Sequence, residues 1–357
     1  MQNTRNLRVE SVRPLLSPAI LLEEIPLSEA GADTVASFRR QVAAILSRAD
    51  DRLLAVVGPC SIHDPVAAEE YAGLLQPLAA GLAADLCIVM RVYFEKPRST
   101  IGWKGLINDP DLDGTFQINR GLRVARGLLT RLAARGVPCG TEFLDPISPA
   151  FVADAISWGA IGARTVESQV HRELASGLSM PIGFKNSTYG TIQSAVDAVT
   201  ASAQSHRFLG VTEQGLAGIV TTLGNPHCHV ILRGGAAGPN FDAASVGAAA
   251  AAMRASELRP AIMVDCSHGN SQKDYRRQPE VARSVAAQVE SGSADIMGVM
   301  IESHLVAGRQ DLKPGAALTH GQSITDACLG WDATAPLLNE LAAAVRGRRL
   351  RRGLGHS

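Results

Sequence analysis

The sequence predicts an α/β protein folded as a closed (β/α)8 barrel, the TIM-barrel architecture, and three features of the chain lead to this prediction. Short runs rich in Val and Ile alternate eight times with longer Ala- and Leu-rich segments of helical periodicity. Within each run the apolar residues are nearly continuous, as in parallel strands that are covered on both faces. Eight alternations favour a closed barrel over an open sheet. The runs are 53–61, 86–93, 137–144, 160–166, 181–188, 229–235, 261–268 and 296–303.

Three segments lie outside this alternation. Two apolar runs within 207–222 predict a small β-hairpin inserted between strands five and six. Residues 1–50 predict an N-terminal extension with a helix near 37–51, which we expect to be a subunit-interface or regulatory arm. We expect residues 51–345 to form the catalytic (β/α)8 barrel and residues 346–357 to form a basic C-terminal tail that is a solvated terminus.

Composition and charge exclude several classes of protein. The 34 Lys and Arg residues balance 34 Asp and Glu residues, so the chain has no overall charge with which to attract nucleic acid. The apolar stretch 14–27 is interrupted by Pro18, Glu23 and Glu24 and is not expected to enter a membrane. Six cysteines without any Cys-x-x-Cys pair indicate reduced thiols. We therefore expect a cytoplasmic protein with neither a nucleic-acid nor a membrane partner.

Each predicted strand ends in a residue with polar or reactive chemistry. In a parallel barrel all the carboxyl ends of the strands open on one face, and that face carries the active site. A strand has to end in something polar, so any single residue is weak support, but eight in succession indicate a site. The residues are Cys60, Arg91, Glu142, Arg164, Lys185, Arg233, His268 and Glu302.

Cations dominate this predicted site. A guanidinium next to core residues is costly to bury without an anion, and its planar fork matches carboxylate and phosphate groups. Ion pairs with Glu95, Glu142 and Glu167 are the alternative, but three carboxylates do not neutralise six cations. We therefore expect a small substrate, or a pair of substrates, with several negative charges. The cations are Arg91, Lys96, Arg98, Arg164, Lys185 and Arg233.

A second group suits a metal ion. Cys60, His268, Glu302 and Asp326 offer a thiolate, an imidazole and two carboxylates, a set suited to Mn²⁺, Fe²⁺, Co²⁺ or Zn²⁺. The four residues are far apart in the chain and have no local spacing signature. Taken alone, Cys60 is equally well explained as a buried inert thiol, and the others as hydrogen-bonding groups.

Two local motifs lack a feature that their usual function requires. Residues 109–114 match the start of a calcium loop, but its twelfth position is Arg120 instead of a bidentate Glu. His227 and His229 form an H-x-H pair, which would indicate a metal-dependent hydrolase on a first barrel strand. The pair stands instead at the start of the sixth strand, at the wrong end for catalysis.

Longer segments resemble a known family. They closely resemble the type I 3-deoxy-D-arabino-heptulosonate-7-phosphate (DAHP) synthases from about residue 50 to about residue 345. Lys96-Pro97-Arg98-Ser99-Thr100 corresponds to the K-P-R-[ST]-[ST] element that separates these enzymes from sister enzymes using arabinose 5-phosphate. The segments include GPCSIHDP (58–65), MRVYFEKPRSTIGWKGLINDPDLDG (90–114), GTEFLDPISP (140–149), MVDCSHGNSQKDYRRQP (263–279), GVMIESHL (298–305) and SITDACLGW (323–331).

The resemblance implies the reaction and the residues that perform it. Such enzymes condense phosphoenolpyruvate with D-erythrose 4-phosphate and water to give DAHP and phosphate, the first step of the shikimate pathway (EC 2.5.1.54). It implies one divalent ion on Cys60, His268, Glu302 and Asp326. It implies that phosphoenolpyruvate is bound by Arg91, Lys96, Arg164, Lys185 and Arg233, and erythrose 4-phosphate by Arg98 and Ser99. We expect Glu142 to position water and Lys96, with a pKa lowered by neighbouring arginines, to act as proton donor.

The resemblance also bears on regulation and assembly. Many members are inhibited by an aromatic amino acid, and Pro149, Ser179 and Phe208 fall at positions that resemble the effector pocket. A homo-dimer or homo-tetramer is expected. His227 stands where relatives have an acidic residue. Three alternative functions are a sister enzyme acting on another sugar phosphate, a non-catalytic regulatory barrel and a metal-dependent hydrolase.

Overall fold

Eight parallel strands close into a barrel in the computed structural model, which describes residues 4–98, 101–312 and 317–354. The order around the barrel is β1-β2-β3-β4-β5-β8-β9-β10, and β10 pairs with β1 through Gly58 and Glu302. This confirms the predicted (β/α)8 fold. The barrel strands are β1 Leu53–Gly58, β2 Leu86–Arg91, β3 Cys139–Glu142, β4 Trp158–Ile161, β5 Ile182–Lys185, β8 Cys228–Leu232, β9 Ile262–Asp265 and β10 Ile296–Glu302.

A helix follows each barrel strand. The helix after β3 is a single turn, and β4 begins and ends earlier than the run 160–166 predicts. The helices of the barrel are α3 Pro65–Gly81, α4 Ile118–Ala134, α5 Pro149–Val152, α6 Gln169–Gly177, α7 Gln193–Ser202, α8 Ala243–Ala255, α9 Gln278–Glu290 and α10 Trp331–Leu354.

Two small sheets accompany the barrel. The strands β6 Arg207–Val211 and β7 Ala217–Thr221 form the antiparallel hairpin that the sequence predicts between the fifth and sixth barrel strands. A short parallel pair, β11 Val306–Arg309 and β12 Gln322–Ser323, lies after the last barrel strand and was not predicted.

Side chains of alternate strand residues fill the interior of the barrel. One buried cluster joins Leu54 and Val56 of β1, Val89 of β2, Met263 of β9 and Met300 of β10, because a strand turns every second side chain to the same face. The same stripe reaches Arg91, Asp265 and Glu302 two residues further along each strand. The apolar alternation therefore places the polar strand ends inside the barrel mouth.

The N-terminal segment contains two helices, α1 Pro18–Glu24 and α2 Glu29–Ser47. The second helix begins eight residues before the predicted position, where the Ser28 hydroxyl accepts a hydrogen bond from the Gly31 N–H at 3.2 Å. Its Val42 and Ile45 join the interior cluster. The helix α2 therefore closes the end of the barrel opposite to the strand carboxyl ends.

The basic C-terminal segment is not a solvated tail. Helix α10 continues to Leu354, and the Arg348 side chain is buried. Arg346 and Arg349 both pair with Asp85, the latter with its Nη1 2.7 Å from the carboxylate. The prediction is therefore wrong for residues 346–349, since acidic groups at the start of β1 and β2 anchor them.

None of the helices within the described ranges combines the length and the apolar character needed to cross a membrane.

Candidate active site

The inward stripe ends in a layer of buried charges at the mouth of the barrel. The Arg91 guanidinium lies 2.8 Å from Glu302, and both side chains are sealed from solvent. The same guanidinium lies flat over the ring of Tyr93, 3.5 Å from its centroid. The ammonium groups of Lys96 and Lys185 lie 5.8 and 5.7 Å from that ring centroid. Three predicted phosphate-binding cations thus surround one buried aromatic ring.

Lys185 is held by two carboxylates. Its Nζ donates to Glu142 at 3.1 Å and lies 3.7 Å from the Asp265 carboxylate. Burial would raise the pKa of Glu142, but Lys185, Lys96 and Arg91 outweigh it and lower that pKa to about 2. Glu142 is therefore an ionised hydrogen-bond acceptor at neutral pH.

The three acids considered from sequence have different partners. Glu142 pairs with the predicted site cation Lys185 at 3.1 Å. Glu95 accepts a hydrogen bond from the Ser148 hydroxyl at 2.7 Å, and Glu167 accepts one from Ser194 at 2.8 Å.

A cavity of about 550 Å³ opens above this layer. It is bordered by residues at or after the carboxyl ends of seven of the barrel strands, and its lining includes cations, two candidate metal ligands and several small residues. The predicted residues that line it are Lys96, Arg98, Glu142, Arg164, Lys185, Arg233, His268 and Asp326. Cys60, Arg91 and Glu302 are buried beside it, and Ser99 lies outside the described residues.

The predicted metal ligands converge at one edge of the cavity. Ligand atoms of Cys60, Glu302 and Asp326 all lie within 4.8 Å of one another. The Nε2 atom of His268 is 3.7 Å from Glu302 and 4.0 Å from Asp326. One sulfur and two carboxylates that lie close together, with an imidazole nitrogen beside both carboxylates, fit a divalent ion of borderline softness.

Lys96 lies against the thiol of this group. Its Nζ is 3.2 Å from the Cys60 Sγ and 3.1 Å from the Cys60 carbonyl oxygen. Burial works against the ammonium, but Cys60, Glu302 and Asp326 outweigh it and keep the pKa of Lys96 above its usual value. The expectation that neighbouring arginines lower the pKa of Lys96 is therefore wrong, because Cys60 and two carboxylates also lie close to the amine.

The sequence reasoning missed three residues of the site. Asp265 lies on the inward stripe of β9, and Ser267 bridges Asp265 and His268. Tyr93 lies two residues beyond Arg91, and its ring packs under that guanidinium. The alternation of buried residues along β9, from Met263 to Asp265, is the signal that would have identified the carboxylate.

Backbone geometry also marks the loop after β9. His268 has a φ of 56°, and Gln272 and Lys273, which line the cavity, have φ values of 54° and 63°. Side chains other than glycine rarely adopt this left-handed conformation, and such residues concentrate at functional sites.

The rejected motifs have structural roles. Arg120, the residue that breaks the calcium-loop pattern, pairs with Asp111. His229 is enclosed within the barrel, where burial lowers its pKa to about 3 and its Nε2 accepts from the Trp158 indole at 3.3 Å. His227 is exposed at the opposite end of the barrel from the cavity. Neither histidine forms a metal site at the mouth.

The candidate effector residues lie outside the cavity. Pro149 is the buried first residue of α5, Ser179 is exposed after α6, and Phe208 is half-buried on β6 of the hairpin. None of them lines the active-site cavity.

Fold and site together define a (β/α)8-barrel enzyme with an electropositive pocket for small phosphorylated or carboxylated substrates. A family model described as the DAHP synthetase I family matches residues 29–339. The tyrosine-inhibited phospho-2-dehydro-3-deoxyheptonate aldolase of Schizosaccharomyces pombe is 54% identical, covering 96% of this chain and 93% of that protein. The Phe-sensitive enzyme of Escherichia coli is 54% identical, covering 96% of this chain and 98% of that protein.

A solved structure agrees with these relatives. The phospho-2-dehydro-3-deoxyheptonate aldolase of Francisella tularensis superposes with a TM-score of 0.93 at 52% identity, covering 95% of this chain and 99% of that chain. The chain belongs to the DAHP synthetase I family and has DAHP synthase activity, the first step of the shikimate pathway.

Proposed function

We propose that the residues at the barrel mouth condense phosphoenolpyruvate with D-erythrose 4-phosphate and water, and that different residues bind each substrate and move the protons. The observation that carries this proposal is that one cavity is bordered both by the cation cluster and by the converging ligand group. A phosphate monoester carries about −1.5 to −2 charge at neutral pH. Two such substrates repel each other in water, and fixed cations offset that repulsion while holding the reacting atoms close.

The cations divide between the substrates. Arg91, Lys96, Arg164, Lys185 and Arg233 hold the phosphate and carboxylate of phosphoenolpyruvate. Arg98 and Ser99 hold the phosphate of erythrose 4-phosphate; Arg98 stands at the outer edge of the cavity with its Nε donating to the Trp103 carbonyl at 2.9 Å. The deeper layer thus orients the enol, and the outer loop orients the aldehyde.

The ligand group would hold one divalent ion, Mn²⁺, Fe²⁺, Co²⁺ or Zn²⁺, through Cys60, His268, Glu302 and Asp326. When bound, such an ion supplies Lewis-acid polarisation of a carbonyl oxygen. Cys60 has a pKa raised to about 11, by burial first and by Glu302 next, so its thiol gives up a proton when it becomes a ligand.

The chain's own residues then move the protons. The C3 carbon of the enol forms a bond to the aldehyde carbon, and the Lys96 ammonium donates a proton to the aldehyde oxygen, which becomes a hydroxyl. Water adds to the electron-deficient C2, oriented by the ionised Glu142 carboxylate, and one of its protons restores the Lys96 ammonium. C2 becomes a ketone as its C–O bond to phosphate breaks and the second water proton leaves with the phosphate, which gives DAHP and inorganic phosphate.

A phosphate-release assay tests this assignment. Phosphate should appear from phosphoenolpyruvate only when erythrose 4-phosphate is present, and arabinose 5-phosphate should not replace it. Chelation should abolish the release, and Mn²⁺ or Co²⁺ should restore it. Activity that survives chelation would contradict the requirement for a metal ion. A Cys60→Ala variant that responds normally to added metal would contradict the role of Cys60 as a ligand.

We also propose inhibition by an aromatic amino acid. The relatives named tyrosine-inhibited and Phe-sensitive support this regulation. Pro149, Ser179 and Phe208 are the proposed pocket. Phosphate release measured with Phe, Tyr or Trp identifies the effector, and a Ser179→Ala variant should lose the inhibition while it keeps its basal rate.

A homo-oligomer is the proposed assembly, with residues 4–50 and the hairpin as its interface. On the hairpin, Leu209 is 88% exposed and Ile219 is 79% exposed, which is a large apolar surface for a monomer. The Ala19 N–H donates to the backbone carbonyl of Glu213 at 2.8 Å, so the arm contacts the turn of the hairpin. Leu209→Lys should lower the molecular mass in analytical ultracentrifugation, whereas Val66→Lys, on an exposed face of α3, should leave it unchanged.

The cytoplasmic location is also a proposal. All six cysteines are free thiols and five of them are buried, which suits a reducing compartment.

A further inference from the structure

Asp265 connects the two halves of the site. It ends β9, its side chain is fully buried, and its two oxygens face different neighbours. Its Oδ1 accepts hydrogen bonds from the Ser267 backbone N–H at 3.0 Å and from the Ser267 hydroxyl at 2.7 Å. Its Oδ2 lies 2.9 Å from the His268 Nδ1 and 3.7 Å from the Lys185 ammonium.

Ser267 in turn determines which ring nitrogen of His268 carries a hydrogen. A hydroxyl has one proton, and that proton is donated to Asp265. The Ser267 oxygen therefore has only lone pairs to offer to the His268 Nδ1, which lies 2.7 Å away. The imidazole must carry a hydrogen on Nδ1 to complete this contact. Nδ1 is also 2.9 Å from Asp265 Oδ2, which favours the same hydrogen electrostatically.

The other ring nitrogen faces the ligand group. With Nδ1 used as a donor, a neutral His268 has its lone pair on Nε2, directed toward Glu302 and Asp326 at 3.7 and 4.0 Å. A histidine ligand commonly owes its tautomer and ring orientation to such an outer partner, whose loss typically weakens metal binding by 10–100-fold.

The same carboxylate faces the phosphoenolpyruvate site. Asp265 is a negative charge next to a cation that we propose binds an anionic substrate, so it competes with that substrate for Lys185. Glu142 makes the shorter contact with Lys185 and keeps the ammonium in place without Asp265. Removing the Asp265 charge should therefore strengthen substrate binding while it weakens metal binding.

We infer that Ser267 and Asp265 are positioning residues that hold His268 in its metal-ligating orientation, and that Asp265 does so at the expense of phosphoenolpyruvate affinity. This inference rests on the proposed metal site. It assigns opposite effects on two ligands to a single carboxylate, a pattern that damage to the fold would not produce.

The test uses the full chain, first stripped of metal and then titrated with Co²⁺. Visible absorption reports Co²⁺ coordination, and calorimetry of the Co²⁺-saturated enzyme reports phosphoenolpyruvate affinity without turnover. Ser267→Ala should raise the Co²⁺ Kd by about 10–100-fold and leave the phosphoenolpyruvate Kd within about twofold. Asp265→Asn should raise the Co²⁺ Kd similarly and lower the phosphoenolpyruvate Kd about threefold or more, as the loss of a like charge several ångströms away requires.

Two matched variants serve as controls. Ser157→Ala removes a fully buried hydroxyl just before β4 that has no hydrogen-bond partner in the described part of the chain. Asp295→Asn removes a carboxylate that pairs with Arg48 at the surface. Both should leave the two Kd values unchanged. An unchanged Co²⁺ Kd in Ser267→Ala, or weaker binding of both ligands in Asp265→Asn, would overturn the inference. Failure of the wild-type chain to show a thiolate–Co²⁺ band, lost in Cys60→Ala, would instead overturn the proposed metal site.

Discussion

Arg91 and Glu302 form an ion pair of 2.8 Å in which neither side chain reaches solvent. Arg91 ends β2 and Glu302 ends β10, the two strands that flank β1 in the barrel. Burying either charge alone is costly, so each holds the other in the barrel mouth. Arg91 is thereby available to a substrate anion and Glu302 to a cation, which makes the pair the structural junction between the proposed substrate and metal sites.

Arg91→Met should destabilise the metal-free enzyme by about 3–5 kcal/mol, because it leaves the Glu302 carboxylate buried without its partner. Glu302→Gln combined with Arg91→Met should cost less than the sum of the single losses, since no unpaired charge remains. Urea unfolding of the wild type, both single variants and the double variant measures this coupling. Additive losses would show that the pair is not an energetic unit.

Ionisation of Glu95 should lower the free energy of unfolding as the pH rises. Burial raises its pKa to about 7 from an ordinary value of 4.5, against the opposing effect of the Ser148 hydrogen bond. The folded state therefore favours the protonated acid, and this contribution is complete below pH 4.5 and lost as the pH rises through 7. Each pKa unit is worth 1.36 kcal/mol, so the total is about 3 kcal/mol.

Glu95→Gln isolates this effect, because the amide copies the protonated acid and does not titrate. The difference in unfolding free energy, variant minus wild type, should increase by about 3 kcal/mol between pH 4.5 and 7.5. Denaturant melts at intervals of half a pH unit measure it. A difference that stays constant with pH would mean that Glu95 is ionised throughout.

Lys96→Met should lower kcat by about a thousandfold, the range expected for loss of a proton donor. The phosphoenolpyruvate Kd should stay within about an order of magnitude of the wild-type value, since the other four cations are kept. Steady-state kinetics and calorimetry supply the two numbers. Comparable losses in both would make Lys96 only a charge clamp for the substrate.

Arg126 should anchor the N-terminal arm. Its buried guanidinium donates to the Ile25 carbonyl at 2.6 Å and the Phe151 carbonyl at 3.0 Å, and it pairs with Asp154 at 2.7 Å. Arg126→Met should speed cleavage before residue 30 in limited proteolysis at least tenfold, because buried carbonyl groups lose their donor. Arg123→Met, which breaks an exposed pair with Glu24 and one hydrogen bond to the Asn119 carbonyl within α4, is the matched control and should change the cleavage rate little. Equal rates in the two variants would contradict the anchoring role.

Much of the fold could be predicted from the sequence because it follows from local patterns. Runs such as 53–61 and 296–303 are nearly continuous in apolar residues, and the structure confirms them as strands buried on both faces. Patterns at the ends of the chain were less informative. Arg348 looked like a solvated charge because its hydrogen-bond acceptor, the backbone carbonyl of Asp51 just before β1, lies about 300 residues earlier.

The sequence by itself determined the barrel, the order of its strands and the identity of the residues at the strand ends, because alternation and apolar continuity are local properties of the chain. Only the tertiary structure decided which charges meet. Asp265 and Lys185, or Cys60 and Lys96, approach each other across strands and loops that are distant in sequence. The pKa of Lys96 depends on burial and on its approach to Cys60. Composition describes a neutral chain, whereas closure of the barrel concentrates its cations and ligand groups at one mouth.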